Sequence, residues 1–264
     1  MVILTSAKIK FNVPPSNSAK NPSGRPHRLR IFSSLLIAGS LLTGGGVAGE
    51  LKSKETSVAG GPLITEATTQ FRTMKTTVYQ HRTQVDRSKG IFCYDCVGFV
   101  SYALRKATPV AWGSAVKATG IAKGRIPSPL KYRAFFASLA GNPQPGWEAV
   151  TKVSALQAGD VVAWEHKTKT SVGHAVIIAG VPVRRTDGSW QVEVYDSTST
   201  PHSDDSRPND ERAQALDATG QHSGLGHGFM VLIADPDSGA LVGLRWSLKA
   251  RAMTVPISAA RPTS

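Results

Sequence analysis

The spacing of apolar residues along the chain changes part-way, near Trp147. Before it, apolar positions recur at helical intervals. Ala67, Phe71, Met74, Val78 and Tyr79 form one stripe with Thr65 as its cap. Val97, Val100, Ala103, Leu104 and Ala107 form a second, preceded by Asp95 at the N-cap position. Leu130, Ala134, Phe135 and Leu139 form a third, entered through Ser128-Pro129. Pro109 and Gly113 predict a break, with a short helix near 114–119. Beyond Trp147 the pattern is that of strands. Val161-Val162-Ala163-Trp164 follows the turn Ala158-Gly159-Asp160. Val172 to Val181 is almost wholly apolar, which predicts burial on both faces. Trp190 to Asp196 alternates after the hairpin signal Asp187-Gly188. Phe229–Ile233 and Leu241–Trp246 predict a closing hairpin. Between Asp196 and that hairpin a polar loop runs from Ser197 to about Gly224, a length that marks a functional or mobile segment. Helices first and antiparallel strands second predict an α+β domain over 65–248, with a flexible tail at 249–264.

The first 49 residues read differently. Six basic residues (Lys8, Lys10, Lys20, Arg25, Arg28, Arg30) and no acidic one precede a short apolar run, Ile31 to Leu42, and a small-residue end at Val47-Ala48-Gly49. That order predicts a secretory signal peptide or N-terminal anchor over 1–49, and hence a secreted or periplasmic protein. The apolar run is too short to span a bilayer comfortably, so no membrane contact is expected beyond that anchor. Residues 50–64 read as a linker. The chain carries 31 basic and 18 acidic residues; less the six of the lead, 25 face 18. This moderate excess suits a polyanionic neighbour, but no basic helix with interleaved aromatics marks a nucleic-acid partner.

The candidate chemistry lies at Cys93-Tyr94-Asp95-Cys96. Cys96 falls in the first turn of the second helix. There unpaired N–H groups and the positive end of the helix dipole favour a thiolate. A thiolate nucleophile needs a base, and the base an orienting group. Of seven histidines, only His174 opens a strongly apolar strand, after Val172-Gly173, where glycine permits close approach of another backbone or a substrate. Asp196 ends the partner strand. A two-residue turn at Asp187-Gly188 would put Asp196 on the face opposite His174, whereas a three-residue loop or one bulge restores the same face. His202 and Asp204 are therefore reserve candidates for the orienting role. The backbone N–H of Cys96 is placed to meet an oxyanion, with Tyr94 as a candidate hydroxyl donor beside Asp95.

At these residues the chain resembles the NlpC/P60 and CHAP-type cysteine peptidases. Asp95-Cys96-Val97-Gly98-Phe99-Val100 resembles their nucleophile motif, Leu156 to Trp164 their Gly-Asp strand entry, and Gly173-His174-Ala175-Val176-Ile177-Ile178 their histidine strand. The three occur in family order over roughly 86–200. The resemblance implies a papain-like fold, N-terminal helices packed on an antiparallel sheet. It also implies a monomeric hydrolase of peptide or amide bonds, typically in bacterial cell-wall peptides, needing no cofactor or metal. Cys96 would be the nucleophile, His174 the base and Asp196 the third member. Two departures stand out: Lys89-Gly90-Ile91-Phe92-Cys93 replaces the usual approach to the cysteine, and Val97 follows the nucleophile where the family has serine.

Three rivals share these residues. Cys93 and Cys96 also form a C-x-x-C at a helix start, the arrangement of thiol–disulfide exchange proteins, although no parallel βαβ pattern surrounds it. A reversible Cys93–Cys96 bridge would silence the nucleophile. A non-catalytic wall-binding module would have no need of Cys96 and His174 together. Zinc held by both cysteines with His166 and His174 is disfavoured by the long histidine spacing.

Overall fold

Pro62, with its fixed φ and missing N–H, opens helix α1 (Pro62–Thr73), so the cap is Gly61 rather than Thr65. The helix stops before Val78 and Tyr79, which lie outside it. The computed structural model describes residues 61–166, 168, 171–215 and 220–263. The expected signal segment, and the linker up to residue 60, lie outside the described residues. After α1 come two short strands, β1 (Gln84–Asp86) and β2 (Ile91–Cys93), paired as an antiparallel ribbon. Helix α2 (Cys96–Ala107) follows, with the Asp95 carboxylate accepting from Gly98 N–H at 2.7 Å. α2 ends before Pro109, as expected, and Pro109 itself opens α3 (Pro109–Thr119), which starts earlier than expected and carries Gly113 inside it. Helix α4 (Pro129–Ser138) carries the expected Ser128 cap.

The rest is sheet. Strands β3 (Trp147–Val150), β4 (Val161–Glu165), β5 (Gly173–Ile178), β6 (Val183–Arg184), β7 (Trp190–Thr198), β8 (Gly224–Ala234), β9 (Leu241–Arg245), β10 (Met253–Thr254) and β11 (Ile257–Pro262) form one nine-stranded antiparallel sheet. Its order is β10-β9-β8-β7-β5-β4-β11-β3, with β6 on β7. The stretch from residue 249, expected as a flexible tail, supplies β10 and β11, and β11 lies between β4 and β3. Arg261 on β11 pairs with the buried Asp160, so the Gly159-Asp160 entry ties β4 to the end of the chain.

Connectivity curls this sheet. β10 pairs with β9 near one end of the order and β11 with β4 near the other, yet only Val255 and Pro256 separate them. Two residues reach about 10 Å at the extended length of a chain, so the sheet bends until these strands meet. Val162, Trp164, Val176, Val194, Leu232 and Leu244 fill the inside. The alternate residues Val161, Ala163, Ala175 and Ile177 face outward and pack with α1, α2 and α4.

This overturns the papain-like, helix-on-sheet expectation. Among the described residues nine strands of one sheet stand against four helices, and the ribbon β1–β2 interrupts the helices, so no continuous N-terminal helical block exists. The physical reason lies in the sheet itself. One face is buried against helices and the other against the sheet's own far strands, so helical cover is needed on one face alone.

Candidate active site

Three elements converge at one end of the curled sheet. Cys96 is the first residue of α2 and is 4% exposed. Its approach is pinned at Tyr94. The Tyr94 carbonyl accepts from Ser197 Oγ at 2.6 Å, and the Tyr94 hydroxyl donates to Gln70 of α1 at 2.8 Å. Tyr94 is fully buried. Its hydroxyl therefore serves the core and not an oxyanion, which corrects that expectation. Ser197 neighbours Asp196, so the same bond ties the cysteine approach to β7. Asp95 caps α2 and holds the exposed His81 by Nδ1 at 3.2 Å.

His174 is the second residue of β5. Gly173 before it has φ +150°, and a Cβ there would lie 2.1 Å from the Trp164 carbonyl oxygen. Only glycine lets β4 and β5 approach this closely, as the sequence suggested. Asp196 shares a face with His174. The loop after β6 has three residues, with Arg185 N–H donating to Ser189 and Val183 pairing with Gln191. Further along, Ile177 pairs with Tyr195 and Ile178 with Val194. This register puts Asp196 two residues from the position opposite His174, on the same side of the sheet.

The contacts are direct. His174 Nε2 lies 2.7 Å from Asp196 Oδ2, and both side chains are buried. Cys96, at the tip of α2, acts on the same imidazole electrostatically. Burial works against a charged imidazole here. The Cys96 thiolate, then the Asp196 and Cys96 hydrogen bonds, outweigh it and push the His174 pKa up to about 10. Asp196 moves oppositely. Burial would raise its pKa, but Arg207, His202 and the His174 bond hold it well below the usual carboxylate range. The site thus holds His174 protonated and Asp196 ionised.

Of the reserve candidates, His202 joins the site, its Nε2 3.1 Å from Asp196 Oδ2. Asp204 does not; it is exposed in a turn with φ +47°. Cys93 ends β2 and is buried and free, not in a loop. Burial raises its thiol pKa, the reverse of what an exchange-active cysteine needs. Among the described residues no three of His, Cys, Asp and Glu converge on a metal position, and no helix is long and apolar enough to cross a membrane.

A cleft of about 360 Å³ opens on His174, lined by Tyr79, His81, Trp164, His166, Thr198 and Trp246, among others. Tyr79, His81, Trp246 and Arg207 were not read as site residues from sequence. Tyr79 falls on the helical spacing of Ala67, Phe71 and Met74, and His81 lies in a polar stretch. Tyr79 is half-buried. Burial, followed by the negative charges of Cys96, Asp95 and Asp196, raises its pKa and keeps the phenol protonated.

No family model matches the chain, and no curated protein matches it. Among solved structures, one described as "The crystal structure of Ly7917" aligns over 76% of this chain and 94% of that chain, at 13% identity and a TM-score of 0.28, a likeness too low to carry an argument about either fold or activity.

Proposed function

We propose that the chain is a thiol-dependent hydrolase of peptide or amide bonds. The observation that carries this reading is the bond from His174 to a buried Asp196 whose pKa is held low, with Cys96 at the tip of α2 acting on the same imidazole. That is the nucleophile, base and orienting group of covalent acyl transfer. The Cys96 thiolate attacks the scissile carbonyl carbon. The carbonyl electrons move to oxygen, beside the Cys96 N–H at the helix tip and the protonated Tyr79 hydroxyl. As the oxyanion collapses, the C–N bond breaks and the His174 imidazolium gives its proton to the leaving amine. Neutral His174 then takes a proton from water, whose oxygen attacks the thioester. Release of the carboxylic acid returns thiolate and imidazolium. Asp196 stays ionised and fixes the ring through Nε2, which leaves Nδ1 for these transfers.

The motif resemblance to NlpC/P60 and CHAP-type peptidases puts bacterial cell-wall peptides first among substrates to try. The test is hydrolysis of a defined peptide panel by the wild type, Cys96→Ser, His174→Ala and the double variant. Each single change is expected to abolish nearly as much turnover as the double, because groups acting as one unit do not contribute additively. Turnover that survives Cys96→Ser would overturn the proposal.

A further inference from the structure

Asp196 has more partners than an orienting carboxylate requires. His174 and His202 both reach Oδ2 through Nε2, at 2.7 and 3.1 Å, while Arg207 holds Oδ1. The His202 side chain is wholly buried. Its ring stacks on Trp246, with centroids 4.3 Å apart and planes at 28°. Its Nδ1 faces the Trp246 carbonyl oxygen at 2.8 Å. Both ring nitrogens thus face oxygens that have no proton to give. A neutral imidazole donates through one nitrogen only, so His202 satisfies both acceptors only with a proton on each.

We propose that His202 is a positioning residue, a second imidazolium on Asp196 whose share of Oδ2 limits the hold of Asp196 on His174 and so sets the pH at which His174 gives up its proton. The proposal rests on the thiol-hydrolase reading above. The two Nε2 atoms lie no more than about 5.8 Å apart, the two bonds to Oδ2 laid end to end. At that range like charges repel appreciably in a buried site. The other charged groups here are engaged. Asp205 accepts from the His202 N–H and from Arg207, and Arg207 spans Asp205 and Asp196. Cys96 faces His174 from α2, and Tyr79, His81 and His166 line the cleft. Trp246 also lines that cleft and carries the carbonyl that anchors His202.

The experiment follows alkylation of Cys96 by iodoacetamide against pH in the full chain, read at the Cys96 peptide by mass spectrometry so that Cys93 does not interfere. Wild type is expected to show an alkaline inflection where His174 deprotonates. His202→Phe keeps the stacking on Trp246 and removes both donors and the cation. It should raise that inflection by about one pH unit, since a neighbouring positive charge and a competing donor are both lost. His202→Gln keeps a donor without the charge and should raise it by less. It also decides the matter if the phenylalanine variant does not fold. An inflection that stays put or falls in the folded variants would overturn the role of His202 alone. If wild type itself shows no alkaline inflection, the thiolate–imidazolium reading fails, and this proposal with it.

Discussion

Replacing Arg207 by methionine tests whether the network behind the site is also a structural anchor. Arg207 is fully buried. Its Nε donates to the Gly224 carbonyl at 2.7 Å, Nη1 to Asp205 Oδ2 at 2.6 Å, and Nη2 to the Asp196 carbonyl at 2.7 Å and to Asp196 Oδ1. Methionine fills a similar straight volume and removes every one of these donors. Taking one partner from a buried ion pair costs about 3–5 kcal/mol, because the other charge stays buried without it. Here the lower end applies. Asp196 keeps His174 and His202, and Asp205 keeps the backbone N–H groups of His202 and residue 207 at 2.8 and 2.9 Å. A domain of this size loses roughly 2–4 °C of melting temperature per kcal/mol, so Arg207→Met should melt about 10 °C below wild type by circular dichroism at neutral pH. Arg207→Lys should fall between, since one ammonium cannot reach Gly224, Asp205 and Asp196 together. Gly226 provides an internal check. A Cβ there would lie 2.7 Å from Arg207 Cγ and Nε. Gly226→Ala should therefore destabilise wild type more than it destabilises Arg207→Met. A melting temperature for Arg207→Met within about 2 °C of wild type would refute the reasoning: the cost of burying these charges would then cancel their attraction.

Two further outcomes follow from the site. Gly173→Ala should lower the melting temperature by several degrees and sharply slow alkylation of Cys96, because its Cβ would meet the Trp164 carbonyl oxygen at 2.1 Å and part β4 from the strand bearing His174; an unchanged melt and alkylation rate would show that the strands absorb the methyl group. Stability should also vary with pH from both sides. The depressed Asp196 contributes stability above the unfolded carboxylate pKa that is lost as pH falls through its own lower value. The raised His174 contributes stability that is full below the unfolded imidazole pKa and lost as pH climbs from about 6.5 through about 10. The Cys96 thiolate is the largest influence raising His174, so melting curves of Cys96→Ala should show a weaker alkaline decline than wild type; an equal decline would contradict that assignment.

What the sequence revealed of the fold was local. Asp95 before Val97-Gly98 and Ser128 before Pro129 announced α2 and α4, because a cap and a first turn lie within four residues. The apolar run at Val176-Ile177-Ile178 announced a strand buried on both faces. Nothing in it distinguished a face covered by helices from one covered by the far strands of the same sheet. That ambiguity hid the curl of the sheet, and with it the place of residues 257–262. Ile257-Ser258-Ala259-Ala260 is short and weakly apolar, so it looked like a tail. Its reality as a strand comes from β4 and β3 on either side, partners about a hundred residues away.

The site divides along the same line. Cys96 and His174 were legible because each sits in a local setting that chemistry recognises: a helix start, and a histidine behind glycine on an apolar strand. Asp196 was legible only as far as register could be guessed, and the three-residue loop after β6 decided it. His202 was legible only as a reserve for the orienting role and Arg207 gave no such signal, since both occur in a polar loop of a kind that is usually solvated. What buries them is the pair of acidic groups that they satisfy, one on β7 and one within the loop itself. A buried cation in a polar segment can be inferred only from its partner. Once Asp196 is placed at the back of His174, its second carboxylate oxygen must find a donor, because a buried ionised oxygen left unpaired costs more than ordering a loop to cover it. The first stretch of chain after β7 meets that demand, bringing His202 to Oδ2 and Arg207 to Oδ1.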